Sequence, residues 1–397
     1  MGLTYSRSPG RASKKWLRSL VALLRSAQRG ICRAFAHLLE GLLQWRRAAY
    51  RRNMQPPFWS SRFRSSQSLL SWAFSALCLA GCSQSTTQNS NGTDDGSTVD
   101  AGQVDMVDPE RERVRLLVLR HAPILYLHPS ERYLPSSAEW FLERATLFGP
   151  TGLVIRAAPP VASLPVTTEG FYLTIPDAAR GGDLASALAY VHPHRGAGFT
   201  DLQFWFFYAY NGQGTLNIDP PLVPSFDVDL APFGEHTGDW EHVTLRVDDT
   251  TEALQSVYLS QHSGGEWVTD PMKDMEFESG RPVVYSSRNG HASYRKAGMN
   301  LSETGSSLGN DYGLRNDTAR GSRLDCAASF RIVADNEAPL TFSGRWGPQI
   351  DNSPFVTDVV AKIPLIGSSI AESTIAQERV SNGPTSPASK SAWTGNE

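Results

Sequence analysis

The run LQFWFFYAY, residues 202–210, is the stretch that most limits what this chain can fold into. Asp201 and Asn211 bound it, and its aromatics occupy both phases of a two-residue alternation. A strand of this kind has no water-facing side. It is predicted to be buried on both faces, at the centre of a sheet with apolar cover above and below. The same aromatics could stack against a ligand, but a continuous apolar run is better explained as core. PILYL (123–127), HVTLRV (242–247), QSVYLS (255–260) and PVVYSS (282–287) are further β-branched and aromatic runs, separated by Gly, Pro, Asn and Asp clusters. Helices are expected only at Pro109 to Leu119, at SSAEWFLERA, where Ser136 and Glu139 have capping-box spacing, and at DLASALAY, with Asp183 as N-cap. No internal repeat is present. The pattern predicts a mainly β fold: an antiparallel β-sandwich, jelly-roll-like, with a few peripheral helices.

The net charge of −3 averages two unlike pieces. Of 37 Lys+Arg and 40 Asp+Glu, residues 1–81 carry 14 basic and one acidic, leaving 23 and 39 for the remainder. The basic head contains a targeting pattern. After Met54 come Arg62 and Arg64, an apolar stretch from Leu69 to Leu79 too short to span a bilayer comfortably, and then LAGC ending at Cys82. LAGC looks like a lipobox, after which the cysteine is lipidated. Residues 54–81 are therefore expected to be a lipoprotein signal peptide, with Cys82 as the lipid attachment and membrane contact. Residues 1–53 would be an upstream over-extension or a basic leader. The expected location is the bacterial cell envelope, at the outer membrane because Ser83 follows the cysteine. Residues 82–107 are polar and low in apolar content, as a disordered tether would be. SNGPTSPASKSAWTGNE suggests a second disordered tail over 367–397, leaving one folded domain over 108–366. Cys326 would be the only cysteine in that domain, so no disulfide is available to it. The acidic body offers no basic stripe to phosphate, which argues against nucleic acid. No nucleophile elbow, phosphate-binding loop, dinucleotide glycine motif or Cys/His zinc spacing occurs in the domain.

GEHTGDWEHVTLRV (234–247) is the stretch richest in chemistry. With a strand starting near Asp239, alternation puts Asp239, Glu241, Val243, Leu245 and Val247 on the core face and Trp240, His242, Thr244 and Arg246 on the other. Two carboxylates thus share the inner end of a strand, with His236 on the entering loop. Side by side and desolvated, they need a proton or a cation between them. Three interpretations stay open. His236, Asp239 and Glu241 could hold a divalent cation, Mg, Ca or Mn by the oxygen-rich donor set. They could be an acid/base pair for hydrolysis. They could brace the fold by accepting hydrogen bonds from loop amides such as Gly234 and Gly238. His291, in GHASY, and His262, in SQHSGGEW, are candidate second members.

Several ordered blocks resemble the vacuolar protein sorting-associated protein 62 family: HAPILYLHPSERYLPSSAEWFL, AYVHPHRGAGFTDLQFWFFYAYNGQGTLNI, GEHTGDWEHVTLRV, YLSQHSGGEWV, PVVYSSRNGHASY and FSGRWGP. This resemblance spans nearly the whole expected domain and implies little about mechanism. EHTGDWE also resembles, locally, the heptapeptide of necrosis- and ethylene-inducing-like proteins, which place His, Asp and Glu at the same spacing around a divalent cation on a β-sandwich. Glu235, Thr237 and Gly238 depart from that heptapeptide. The combined expectation is a non-catalytic, cation-assisted binding module for glycan or lipid headgroups. A metal-dependent hydrolase and a structural lipoprotein are the alternatives.

Overall fold

The computed structural model describes residues 108–350 and 382–397, positions 222, 263, 308 and 309 excepted. The expected signal peptide, tether and lipidated Cys82 lie outside the described residues. The fold is mainly β and consistent with a sandwich. LQFWFFYAY forms the middle of a strand, Phe199–Asn211, buried almost throughout. It pairs antiparallel with His236–Asp248, from His236 opposite Asn211 to Asp248 opposite Phe199. These two strands are the centre of a sheet ordered Gly264–Val268, Leu254–Gln261, His236–Asp248, Phe199–Asn211, Ala189–Arg195, Phe330–Ile332.

Both faces of that centre are covered, as the aromatic run requires. On one face Leu202, Phe204, Phe206 and Tyr208 join Val243, Leu245 and Val247 in a core completed by Leu125, Val284 and the helix Pro109–His121. On the other, Trp205, Phe207, Ala209 and Trp240 pack with Phe141, Phe342 and Trp346. Register is pinned at the far end by Arg246, whose guanidinium donates twice to Asp201 at 2.8 Å across the strand pair. The pair is planar and bidentate, and Asp201 is buried, so a register slip would strand its charge.

A second sheet pairs Ile124–Tyr126 with Arg281–Ser286 and Arg323–Asp325. A third runs Gly298–Ser307, Asn310–Thr318, Thr215–Asp219, Phe226–Asp229. The sheets are not wholly antiparallel. Ile124–Tyr126 runs parallel to Arg281–Ser286, and Phe330–Ile332 runs parallel to Ala189–Arg195.

Three local expectations are corrected. The helix after Ser136 is capped by Ser137, whose Oγ accepts from Trp140 N at 3.0 Å. Ser136 instead bridges to the aromatic strand, and Glu139 accepts from Tyr190 Oη rather than closing a capping box. Asp183 does cap, but only a 3-10 turn, Leu184–Ser186, before the chain enters a strand.

The third correction is the largest: residues 382–397 are not a loose tail. Trp346 N donates to Pro384 O, Gln203 Nε2 donates to Ala392 O, and Trp346 Nε1 donates to Ser386 Oγ. Trp393 is buried and stacks on His192 with ring centroids 3.7 Å apart. The Glu397 side chain, 1% exposed, accepts from Thr244 Oγ1 and pairs with His242 Nε2. Polar composition misled here because its polar atoms are spent inside the fold and a single tryptophan supplies the apolar anchor. Trp393→Ala is expected to cost about 3–5 kcal/mol, as for other buried tryptophans. Urea unfolding of the full chain checks this. A loss below about 1 kcal/mol would mean that the segment is detachable.

Candidate functional site

The carboxylates of GDWE sit where the two central strands run past the end of a neighbour. Leu254–Gln261 pairs with His236–Asp248 only from Val243 onward. Upstream of that point other groups meet the strand edge. Ser260 Oγ accepts from His242 N at 3.1 Å and donates to Glu241 Oε2. Lys390 Nζ donates to Trp240 O at 2.6 Å. The strand begins at His236, earlier than expected, and Gly238 within it takes φ +66. A Cβ at Gly238 would lie 2.7 Å from both Cβ and O of Trp346, so only glycine allows that approach.

The predicted faces hold. His242 is on the side away from the cavity, stacked on Trp205 at 4.3 Å. Asp239 and Glu241 line a cavity of about 440 Å³, together with His236, His262, Arg288 and Lys390. His291 is not among the lining residues. It lies behind Asp239, buried, with Nδ1 donating to Asp239 Oδ2 at 2.9 Å and its ring stacked on Tyr208 at 3.8 Å. His291 and Asn289 both adopt left-handed backbone, φ 55 and 68, in the turn after Arg281–Ser286. That costs about 1–2 kcal/mol per residue and is repaid by closing the turn against Asp239. Glu131 anchors the same turn by accepting from Asn289 N at 2.7 Å, with Oε1 4.0 Å from His291 Nε2. His262 Nε2 bonds Asn316 Oδ1 at 2.9 Å, so it is cavity wall, apart from the carboxylates.

The two carboxyls differ in charge state. Burial, and then the charge of Asp239, push Glu241 up to about 8, against weaker downward pulls from Lys390 and Ser260. Burial also works against ionised Asp239, but the His291 hydrogen bond and the nearby positive groups outweigh it and hold that carboxyl below its ordinary value. The pair thus carries one negative charge at neutral pH. His236 is kept neutral by burial. Its Nδ1 lies 2.7 Å from Gly238 O and must be the protonated nitrogen there, which leaves Nε2 with its lone pair free.

The oxygen-rich donors suit a hard divalent cation in kind. They do not suit one in arrangement. Among the described residues no three His, Cys, Asp or Glu side chains converge closely enough to hold a metal ion. Among the described residues the side-chain partners of the carboxylates are His291 and Ser260. Sequence reasoning missed Lys390, Ser260, Arg288 and Glu131. Only the tryptophan in the terminal SAWTGNE hinted that the segment bearing Lys390 belongs to the fold.

Because Glu241 binds its proton more tightly folded than unfolded, its contribution is fully present below pH about 4.5 and is lost as pH rises through about 8. Glu241→Gln is therefore expected to be more stable than wild type at pH 8.5 and to lose that advantage at pH 5. Thermal melts across this range check it. Parallel pH curves for the two proteins would show that Glu241 does not titrate in this window.

A family model described as Vacuolar protein sorting-associated protein 62 matches residues 82–397. The protein of that name from Saccharomyces cerevisiae is 24% identical over 233 residues, covering 48% of this chain. The match spans just under half, 47%, of the yeast protein's own length. Among solved structures, Necrosis and Ethylene inducing Protein 2 from the causal agent of cocoa's Witches Broom disease is similar at 17% identity and TM-score 0.27, over 45% of this chain and 67% of that one. NLPPya in complex with glucosamine is similar at 14% identity and TM-score 0.29, over 62% and 88%. With most of its length matched by one family model, from Cys82 through the buried terminal segment, the chain belongs to the vacuolar protein sorting-associated protein 62 family.

Proposed function

We propose that the domain is a non-catalytic binding module for a hydroxyl-rich headgroup of a glycan or lipid, seated in the cavity beside Asp239 and Glu241. One observation carries this: a cavity of about 440 Å³ that offers acceptors and donors together. Small-ligand sites run from about 300 to 1,000 Å³ with a few convergent polar groups. Here ionised Asp239 and the His236 Nε2 lone pair accept. Protonated Glu241, the Lys390 ammonium and exposed Arg288 donate. A hydroxyl donates and accepts at once, so adjacent hydroxyls satisfy such a mixed lining better than an apolar or singly charged ligand does.

The signal-like segment ending at Cys82 supports a domain presented at the surface of a membrane. Metabolic labelling with a fatty acid is expected to mark the wild-type chain and not Cys82→Ser. Equal labelling of both would remove the lipid anchor from the proposal.

The binding test is calorimetric titration of the full chain with a panel of neutral and acidic sugars and with vesicles bearing sugar headgroups. Asp239→Asn is expected to weaken any binding by roughly ten- to a hundredfold, the usual worth of a charged hydrogen bond. Binding indifferent to Asp239→Asn, or none at millimolar ligand, would sink the proposal.

A second reading has one observation in its favour. An ionised carboxyl beside a protonated one is the pattern of a hydrolytic acid/base pair. Turnover of a chromogenic glycoside that Glu241→Gln abolishes would put hydrolysis in place of binding.

A further inference from the structure

We infer that Lys390 is the resident cation of this site: its ammonium, carried in by the C-terminal segment, takes the place of a divalent ion beside Asp239 and Glu241. The claim rests on the cavity being the binding site, but its test reads metal uptake and not headgroup binding.

Three observations support it. The first is position. Lys390 Nζ bonds the carbonyl of Trp240, the residue between the two carboxylates, and lines the same cavity as both. The second is anchorage. Lys390 is not a surface lysine reaching in by chance. It is followed within seven residues by buried Ala392, whose carbonyl holds Gln203, by buried Trp393 on His192, and by the Glu397 carboxylate on His242 and Thr244. The preceding residues are tied by Trp346 and Ser386. The ammonium is therefore delivered by a segment fixed on both sides, which removes most of the entropy cost of holding a lysine in place.

The third is charge and spare valence. An ammonium has three donors, and Trp240 O uses one. Lys390 makes no salt bridge within 4.0 Å of either carboxylate among the described residues, and its ammonium also lies 5.7 Å from the centroid of the Trp205 ring. The Lys390 ammonium places a positive charge in the cavity that both carboxyls line. A divalent cation entering beside Lys390 would meet like charge, and it would have to gather donors that are spread apart as the chain is built. Among the described residues Asp239 Oδ1, Glu241 Oε1 and His236 Nε2 make no hydrogen bond, so oxygen and imidazole donors are available once the ammonium is gone.

The test is calorimetric titration of the full chain with Mg²⁺, Ca²⁺ and Mn²⁺ in turn, with melting temperature followed in parallel. Wild type is expected to take up none of the three below millimolar concentration. Lys390→Met is expected to bind one ion per chain at least about tenfold more tightly than wild type, with a raised melting temperature in that ion. Lys390→Arg, which keeps the charge, is expected to behave as wild type. Lys390→Gln removes the charge while keeping a donor for Trp240 O, and it carries the test if the methionine variant fails to fold. Addition of Asp239→Asn to the cation-binding variant is expected to abolish the uptake. Stoichiometric cation binding by wild type overturns the inference, and so does a folded, uncharged variant that binds no ion.

Discussion

The ladder between Phe199–Asn211 and His236–Asp248 is the interaction on which the rest of the structure depends. Because both its faces are covered, every polar side chain on it must find its partner inside the protein. Gln203 is spent on His192 and the Ala392 carbonyl, Asp201 on Arg246, and His242 and Thr244 on Glu397. Of these partners His192, Ala392 and Glu397 come from outside the ladder, the last two from the terminal segment. The ladder therefore recruits distant segments, and the terminal residues are held by its polar groups as much as by apolar burial. A buried, half-satisfied polar group costs about 1–3 kcal/mol, so these contacts are obligatory once the strand is central.

The same burial creates the electrostatics of the candidate site. Two residues apart on one strand face, Asp239 and Glu241 are about 7 Å apart along the backbone. At an effective dielectric near 20 their repulsion is about 2 kcal/mol. Raising a carboxyl from 4.5 to about 8 requires about 5 kcal/mol. Repulsion alone falls short, so desolvation is the larger cause and the neighbouring charge the smaller. What separates the two residues is the partner behind each. Asp239 receives an imidazole N–H from His291, whereas Glu241 receives only a hydroxyl from Ser260. The stronger donor keeps Asp239 ionised and leaves the proton to Glu241.

Much of this was legible in the sequence, for identifiable reasons. The run at 202–210 has no polar phase, so a doubly covered strand followed directly. Alternation through Val243, Leu245 and Val247 fixed the faces, and so placed Asp239 and Glu241 together and His242 opposite. Legibility failed where local pattern does not carry the information. Ser136 and Ser137 are both good caps, and the choice between them was made by a bridge to Phe207 across the fold. His291 could be named as a second member, but only the left-handed turn showed that it stands behind Asp239 rather than beside it in the cavity. Residues 382–397 looked disordered because their apolar content is low. A segment bound chiefly through its polar atoms to a distant strand leaves no periodic trace.

That segment also joins the two faces of the central strand. On one side Glu397 is bonded to His242 and Thr244; on the other Lys390 faces the cavity shared by Asp239 and Glu241. His242 and Glu241 are adjacent, and Ser260 touches both, through the His242 amide and the Glu241 carboxylate. A shift of the terminal residues would thus reach the carboxylates by two routes, the lysine and the serine. The cavity's charge depends on Lys390 as well as on the two acids of the GDWE motif. In this family member, the motif that attracts attention in the sequence supplies the acids, and the least patterned segment supplies the cation that answers them.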